Sequence, residues 1–108
     1  MSSTNVQSMY EITTKEDHDA FIANNNRGVI FFGSSACHYC RDMIPVVQRL
    51  MVQYPSVKFA HVEINKTQVK DLGRGVPTFV GYKDHVAIDS VVGANKQALS
   101  LMIINKLL

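Results

Sequence analysis

Hydrophobic residues come in blocks whose rhythm changes from segment to segment. At 29–33, Val-Ile-Phe-Phe-Gly is apolar on consecutive positions and rich in β-branched and aromatic side chains, the pattern of a central strand covered on both faces. The segment 57–64, Val-Lys-Phe-Ala-His-Val-Glu-Ile, alternates in part and predicts a second strand. Thr-Phe-Val-Gly-Tyr at 78–82 and Val-Ala-Ile-Asp-Ser-Val-Val at 86–92 flank the polar turn Lys83-Asp84-His85 and predict a hairpin. Between the strands the spacing turns helical. Met43, Val47, Leu50, Met51 and Tyr54 recur on one face until Pro55 ends the run, and Pro45 inside it predicts a kink near residue 41. Thr14-Lys15-Glu16-Asp17 has the form of a capping box, so a short first helix carries Phe21 and Ile22 and stops at the asparagines before Gly28. Asn95 caps a predicted last helix running through Leu108, with Leu99, Met102, Ile103 and Leu107 on its apolar face. Residues 65–75 are polar and hold at most a short helix and a turn.

The resulting order, β-α-β-α-β-(α)-β-β-α, argues for an α/β protein with a mixed sheet and helices on both faces. At 108 residues and 46% hydrophobic the chain suits a single domain, 1–108, with residues 1–7 read as a flexible tail. Eleven Lys and Arg against nine Asp and Glu, interspersed, give +2, which argues against nucleic-acid or membrane-surface binding resting on bulk charge. The polar N-terminus lacks the features of a secretory signal, and no apolar run exceeds four residues. The expectation is a cytoplasmic protein, and in a reducing compartment a close cysteine pair points to catalysis or metal binding more than to a structural staple.

Both cysteines lie in Ser-Ser-Ala-Cys-His-Tyr-Cys, 34–40. Cys37 falls where the strand gives way to the second helix. Backbone N–H groups at a helix start carry partial positive charge and favour a thiolate, and a protonated His38 adds to the effect. Lowering a thiol pKa from about 8.5 to about 7 takes roughly 2 kcal/mol of preferential thiolate stabilisation, which these two influences can supply. Cys40, one turn on, shares the helix face, and the pair is near enough for a disulfide. By position Cys37 is the better nucleophile and Cys40 the more buried. Three functions stay open on these residues alone: a dithiol oxidoreductase, a binding module with inert thiols, and half of a zinc site that a second chain would have to complete.

With Pro45 five residues after Cys40, Gly-Val-Pro-Thr-Phe at 75–79 and Val-Val-Gly-Ala at 91–94, the chain resembles the thioredoxin family from about residue 8 to 108. The resemblance implies a thioredoxin fold and a thiol-disulfide oxidoreductase acting on protein disulfides, with Cys37 attacking and Cys40 resolving. It implies a cis peptide before Pro77 and a shallow substrate groove formed by Ala36, Val76, Pro77, Gly93 and Ala94, with Val76 pairing its backbone to an extended substrate. It further implies a reductase as electron donor, such as thioredoxin reductase, a monomeric state, and no metal or organic cofactor beyond the cysteine pair. The alternative function is a non-catalytic module binding partners through the groove around Val76 and Pro77.

Departures from the family pattern are equally specific. Ala36 stands where the family carries tryptophan, and His38-Tyr39 replaces Gly-Pro between the cysteines. Phe31 occupies the place of the buried acid, and His61 that of its lysine partner, read here as a hydrogen-bonded core histidine. His38 and Tyr39 tune the pair toward a more oxidising potential, because a cation beside the thiolate stabilises the reduced form. Arg41 and Arg74 are steering charges near the site.

Overall fold

The computed structural model describes residues 9–66 and 75–108. In chain order the elements are β1 (Tyr10–Ile12), α1 (Lys15–Asn24), β2 (Arg27–Gly33), α2 (His38–Gln53), β3 (Lys58–Glu63), β4 (Thr78–Lys83), β5 (Val86–Val92) and α3 (Lys96–Met102), which continues as a π-helical turn, Ile103–Leu107. The short helix allowed between 65 and 75, Arg74 and the tail at residues 1–7 lie wholly or mostly outside the described residues.

The five strands form one mixed sheet in the order β1-β3-β2-β4-β5. β1 and β2 both run parallel to β3, whereas β4 is antiparallel to β2 and to β5. β2 is the central strand of this order and buries Gly28 through Gly33 without a break, which is why its apolar run shows no alternation. Alternate residues feed two apolar layers. Val29, Phe31, Phe59, Phe79 and Val91 join Cys40, Met43, Val47 and Leu50 of α2 and Leu99, Met102, Ile103 and Leu107 of the C-terminal helix. On the opposite face Ile30, Phe32, Ala60, Val62 and Val80 pack with Ile12 and with Phe21 of α1.

Local signals account for the ends of the elements. Thr14 caps α1, its hydroxyl accepting from the Asp17 N–H at 3.0 Å. The α1 helix stops at the asparagine run, where the Asn25 amide donates to Phe21 O at 2.8 Å. The hairpin between β4 and β5 turns through Asp84 and His85, both with positive φ, 52° and 73°. Neither is glycine, and tertiary bonds hold the turn: the Asp84 N–H donates to Asn26 O at 2.7 Å, and His85 Nδ1–H to Ile22 O at 2.8 Å. Pro45 sits within a continuous α2.

The last helix departs from expectation. Asn95 does cap it, accepting from the Ala98 N–H at 3.0 Å, but α-helical bonding ends at Met102 and a π turn follows, closed by Leu108 N–H to Ile103 O at 3.1 Å. Residues four apart drift about 40° round an α-helix, and a wider turn reverses that drift. Leu99, Ile103 and Leu107 are each fully buried, so the change of pitch keeps all three on the sheet-facing line.

Candidate active site

The parallel and antiparallel ladders converge at one end of the sheet. Phe32 is paired with Thr78, and Thr78 with Val92, so the loop leaving β2, the segment before β4 and the segment after β5 emerge side by side. Those three segments carry Ala36-Cys37, Val76-Pro77 and Gly93-Ala94.

Cys37 is the N-cap of α2. It adopts an extended backbone, its N–H donates to Ser34 O at 3.0 Å, and its sulfur accepts the Cys40 N–H at 3.1 Å. Cys37 and Cys40 form a disulfide with Cα atoms 5.2 Å apart. Their surroundings differ. Cys40 is 3% exposed within the core layer, while Cys37 is half-buried and packs against that layer from the edge. An N-terminal helix position supplies N–H groups and the positive end of the helix dipole to the outer sulfur, whereas the inner one is walled by apolar groups that disfavour charge.

The Val76–Pro77 peptide bond is cis. Pro77 is buried, Val76 half-buried against the same core layer as Cys37. The loop is held on both sides: Thr78 Oγ1 donates to Gly75 O at 2.8 Å, and the Gly93 N–H donates to Pro77 O at 2.8 Å. Gly93 takes φ of 97°, a region costly to side chains, and no atom lies within 4 Å of where its Cβ would stand. Ala36 and Ala94 are exposed. The segments that carry the five expected groove residues thus leave the sheet at the same end as Cys37, with open space at Gly93.

His38 and Tyr39 project outward. Tyr39 is 63% exposed and meets the His38 ring edge to face at 5.5 Å. His38 Nε2 faces Asp42 Oδ2 at 3.3 Å, one turn along α2. Asp42 went unnoticed in the sequence, although its spacing of four from His38 is the signal for such a pair. His61 is not a closed core histidine: it retains partial exposure and donates Nδ1–H to Glu11 Oε2 at 2.7 Å across the β1–β3 ladder. Phe31, 1% exposed, meets the His61 ring and belongs to the same core layer as Cys40. Met43 is core, and Arg41 is exposed.

Sequence reasoning also passed over Glu63, Asn65 and Ser34. Glu63 Oε1 accepts the Ser35 N–H at 2.7 Å, and the Asn65 amide donates to Ser34 Oγ at 2.9 Å. Only strand register brings β3 to this loop, and the sequence does not show register directly. Among the described residues no group of three His, Cys, Asp or Glu is arranged to hold a metal, and no helix is long and apolar enough to cross a membrane.

Comparison with known proteins agrees with this geometry. The Thioredoxin family model matches residues 9–105. Thioredoxin-3 of Dictyostelium discoideum is 32% identical over 92 residues, covering 82% of this chain and 86% of its own. The mitochondrial Thioredoxin-3 of Saccharomyces cerevisiae is 31% identical over 108 residues, 92% of this chain and 84% of that protein. The oxidised form of mitochondrial thioredoxin 3 from Saccharomyces cerevisiae superposes with a TM-score of 0.83 at 28% identity, covering 93% of this chain and 97% of that one. Fasciola hepatica thioredoxin superposes with a TM-score of 0.79 at 30% identity, covering 89% and 97%. A matched family, a five-stranded mixed sheet with three helices among the described residues and a bonded cysteine pair at the end of that sheet make this chain a member of the thioredoxin family and a thiol-disulfide oxidoreductase.

Proposed function

We propose that the chain transfers two electrons to disulfides in other proteins, with Cys37 as nucleophile and Cys40 as resolving thiol. The supporting observation is the asymmetry of the pair: one sulfur is half-buried at a helix N-cap, and the other is 3% exposed behind it. In the reduced protein the Cys37 thiolate attacks one sulfur of the substrate disulfide. An S–S bond forms between Cys37 and that sulfur, the substrate bond breaks, and its second sulfur leaves as a thiolate that takes a proton. Cys40, deprotonated, then attacks Cys37. The Cys37–Cys40 bond forms, the mixed disulfide breaks, and the substrate leaves as a dithiol. The substrate is reduced by two electrons, and the cysteine pair is oxidised.

The substrate segment lies extended along Val76, its backbone adding to the sheet end, while the small residues at 36, 93 and 94 admit it. Protein disulfides are the substrates of this family, and a reductase restores its dithiol. Thioredoxin reductase is the donor proposed here, for a monomer acting in the cytoplasm and relaying electrons with the two sulfurs alone, without an organic cofactor. His38-Tyr39 favours a potential above that of an ordinary thioredoxin.

Trapping tests the assignment. Cys40→Ser should accumulate Cys37-linked mixed disulfides with protein substrates, and alkylation of reduced wild type should modify Cys37 first with a rate that saturates below the ordinary thiol range near pH 8.5. A Cys40→Ser protein that captures nothing, or a Cys37 no faster than a free thiol, refutes it and leaves the non-catalytic binding module.

A further inference from the structure

We propose that Glu63 is a positioning residue for Cys37, its carboxylate anchoring the loop Ser34–Ala36 from the end of β3, with Asn65 as a second anchor. The proposal rests on Cys37 being the attacking sulfur.

The loop needs an anchor because its own side chains are small. Ser35 and Ala36 are exposed, and neither buries an apolar group that would hold the backbone. The N–H groups of Ser35, Ala36 and Cys37 are nevertheless all engaged. The Ala36 N–H donates to Ser34 Oγ at 3.2 Å and the Cys37 N–H to Ser34 O at 3.0 Å, both within the turn. The Ser35 N–H alone reaches outside it, to Glu63 Oε1 at 2.7 Å, 28 residues away, at the short length of a charge-assisted bond. Glu63 is the last residue of β3 and the register partner of Gly33. The Ile64 N–H then donates to Gly33 O at 2.9 Å, so main-chain bonding between the two segments stops there and side chains take over. Asn65 donates to Ser34 Oγ, the same atom that accepts from Ala36, which orients the hydroxyl and ties the second half of the turn.

Geometry, not charge, is the contribution assigned to Glu63. A carboxylate facing this loop has the same sign as the Cys37 thiolate and opposes its formation, so an electrostatic role would slow the reaction. Holding the loop fixes the direction from which Cys37 meets a docked partner. A protein substrate seated on Val76 and Ala94 is sensitive to that direction, and a small disulfide that approaches freely is not.

The test compares wild type, Glu63→Ala, Glu63→Gln and Asn65→Ala on insulin and on the small aromatic disulfide 5,5′-dithiobis(2-nitrobenzoate), with melting curves for each. Glu63→Ala should lose about tenfold in kcat/KM on insulin and less than about twofold on the small disulfide. Glu63→Gln keeps an acceptor oxygen and removes the charge, and it should stay within about threefold of wild type on insulin. Asn65→Ala should show the same substrate split at about threefold, and it carries the comparison if Glu63→Ala does not fold. Equal losses on both substrates, no loss in Glu63→Ala, or Glu63→Gln falling as far as Glu63→Ala overturns the positioning role. Wild type inactive on both substrates overturns the oxidoreductase reading itself, and this is seen before any variant is compared.

Discussion

Phe31 and His61 are register partners on β2 and β3, and their rings meet edge to face with centroids 5.2 Å apart. Phe31 also stacks on Phe79 at 4.7 Å, and a Cβ on Gly33 would come within 3.1 Å of its ring. An aromatic contact therefore occupies the place where the family pattern puts a buried acid and its lysine. Desolvating a carboxylate there would cost several kcal/mol unless it were well paired, so Phe31 trades a proton-transfer group for packing. Phe31→Ala should lower the unfolding free energy by about 3–5 kcal/mol, read as a drop in the urea midpoint. His61→Ala, at a partly exposed position, should cost less than about 1.5 kcal/mol. Equal losses would mean that the ring pair, not the burial of Phe31, sets the stability of this layer.

Two carboxylates of helix α1, Asp17 and Asp19, are held below the ordinary carboxylate range. Hydrogen bonds from the Thr13 N–H and hydroxyl hold the Asp17 carboxyl below the usual carboxylate range, with Thr14 adding to them. Asp19 is held down by His18 first and Lys15 second. Folded-state values below the unfolded value mean that these contributions are complete above about pH 4 and fade as pH falls through the folded values. Melting temperature should decline from about pH 4 downward, and Asp17→Asn should flatten that decline. Thermal melts at a series of pH values check this. An Asp17→Asn protein with the slope unchanged would locate the acid sensitivity elsewhere.

Asp42 moderates the tuning expected from His38. A protonated imidazole next to the active sulfur stabilises the thiolate, but here the ring faces a carboxylate at 3.3 Å, which offsets its charge. The two side chains are 71% and 56% exposed, so the pair is weak, within the 0–1 kcal/mol of surface ion pairs. For a two-electron couple 1.4 kcal/mol corresponds to about 30 mV, so the shift is on the order of 10 mV. Asp42→Asn should raise the potential of the Cys37–Cys40 couple by that amount, and His38→Ala should abolish the difference. Glutathione redox titration measures both. A potential that falls in Asp42→Asn would show that the imidazole does not act on the sulfur.

What could be read from the chain divides along physical lines. Local signals carried well: the Thr14 and Asn95 caps, the unbroken apolar run of β2 and the placement of Cys37 before a helix all depend on near neighbours. Contacts set by register did not. Nothing near Glu63 in sequence points to Ser35, and nothing near His61 points to Glu11, because a parallel ladder pairs residues whose relation depends on every crossover between them. The π turn was hidden for a similar reason. Leu99, Ile103 and Leu107, all fully buried, fit a helical period either way, and the local sequence does not choose between the pitches.

The end of the π turn meets Arg27 and Lys83, cross-strand neighbours at the outer ends of β2 and β4. Arg27 Nε donates to Leu107 O at 2.7 Å, and Lys83 Nζ donates to Leu108 O at 3.3 Å. The last carbonyls of a helix have no intrahelical donor, and the dipole makes that end negative, so two cations there satisfy both needs. The Arg27 bond is part-buried and charge-assisted, which makes it the stronger of the two. Arg27→Ala should cost about 1.5–3 kcal/mol by urea unfolding, and Arg27→Lys should recover only part of this because an ammonium lacks the planar fork. Hydrogen exchange separates a local role from a global one. In Arg27→Ala the Leu108 amide, which closes the π turn, should lose protection well before the β2 and β4 amides do. Loss in step across the sheet would mean that Arg27 supports the strand pairing and that the π turn stands on the burial of Ile103 and Leu107 alone.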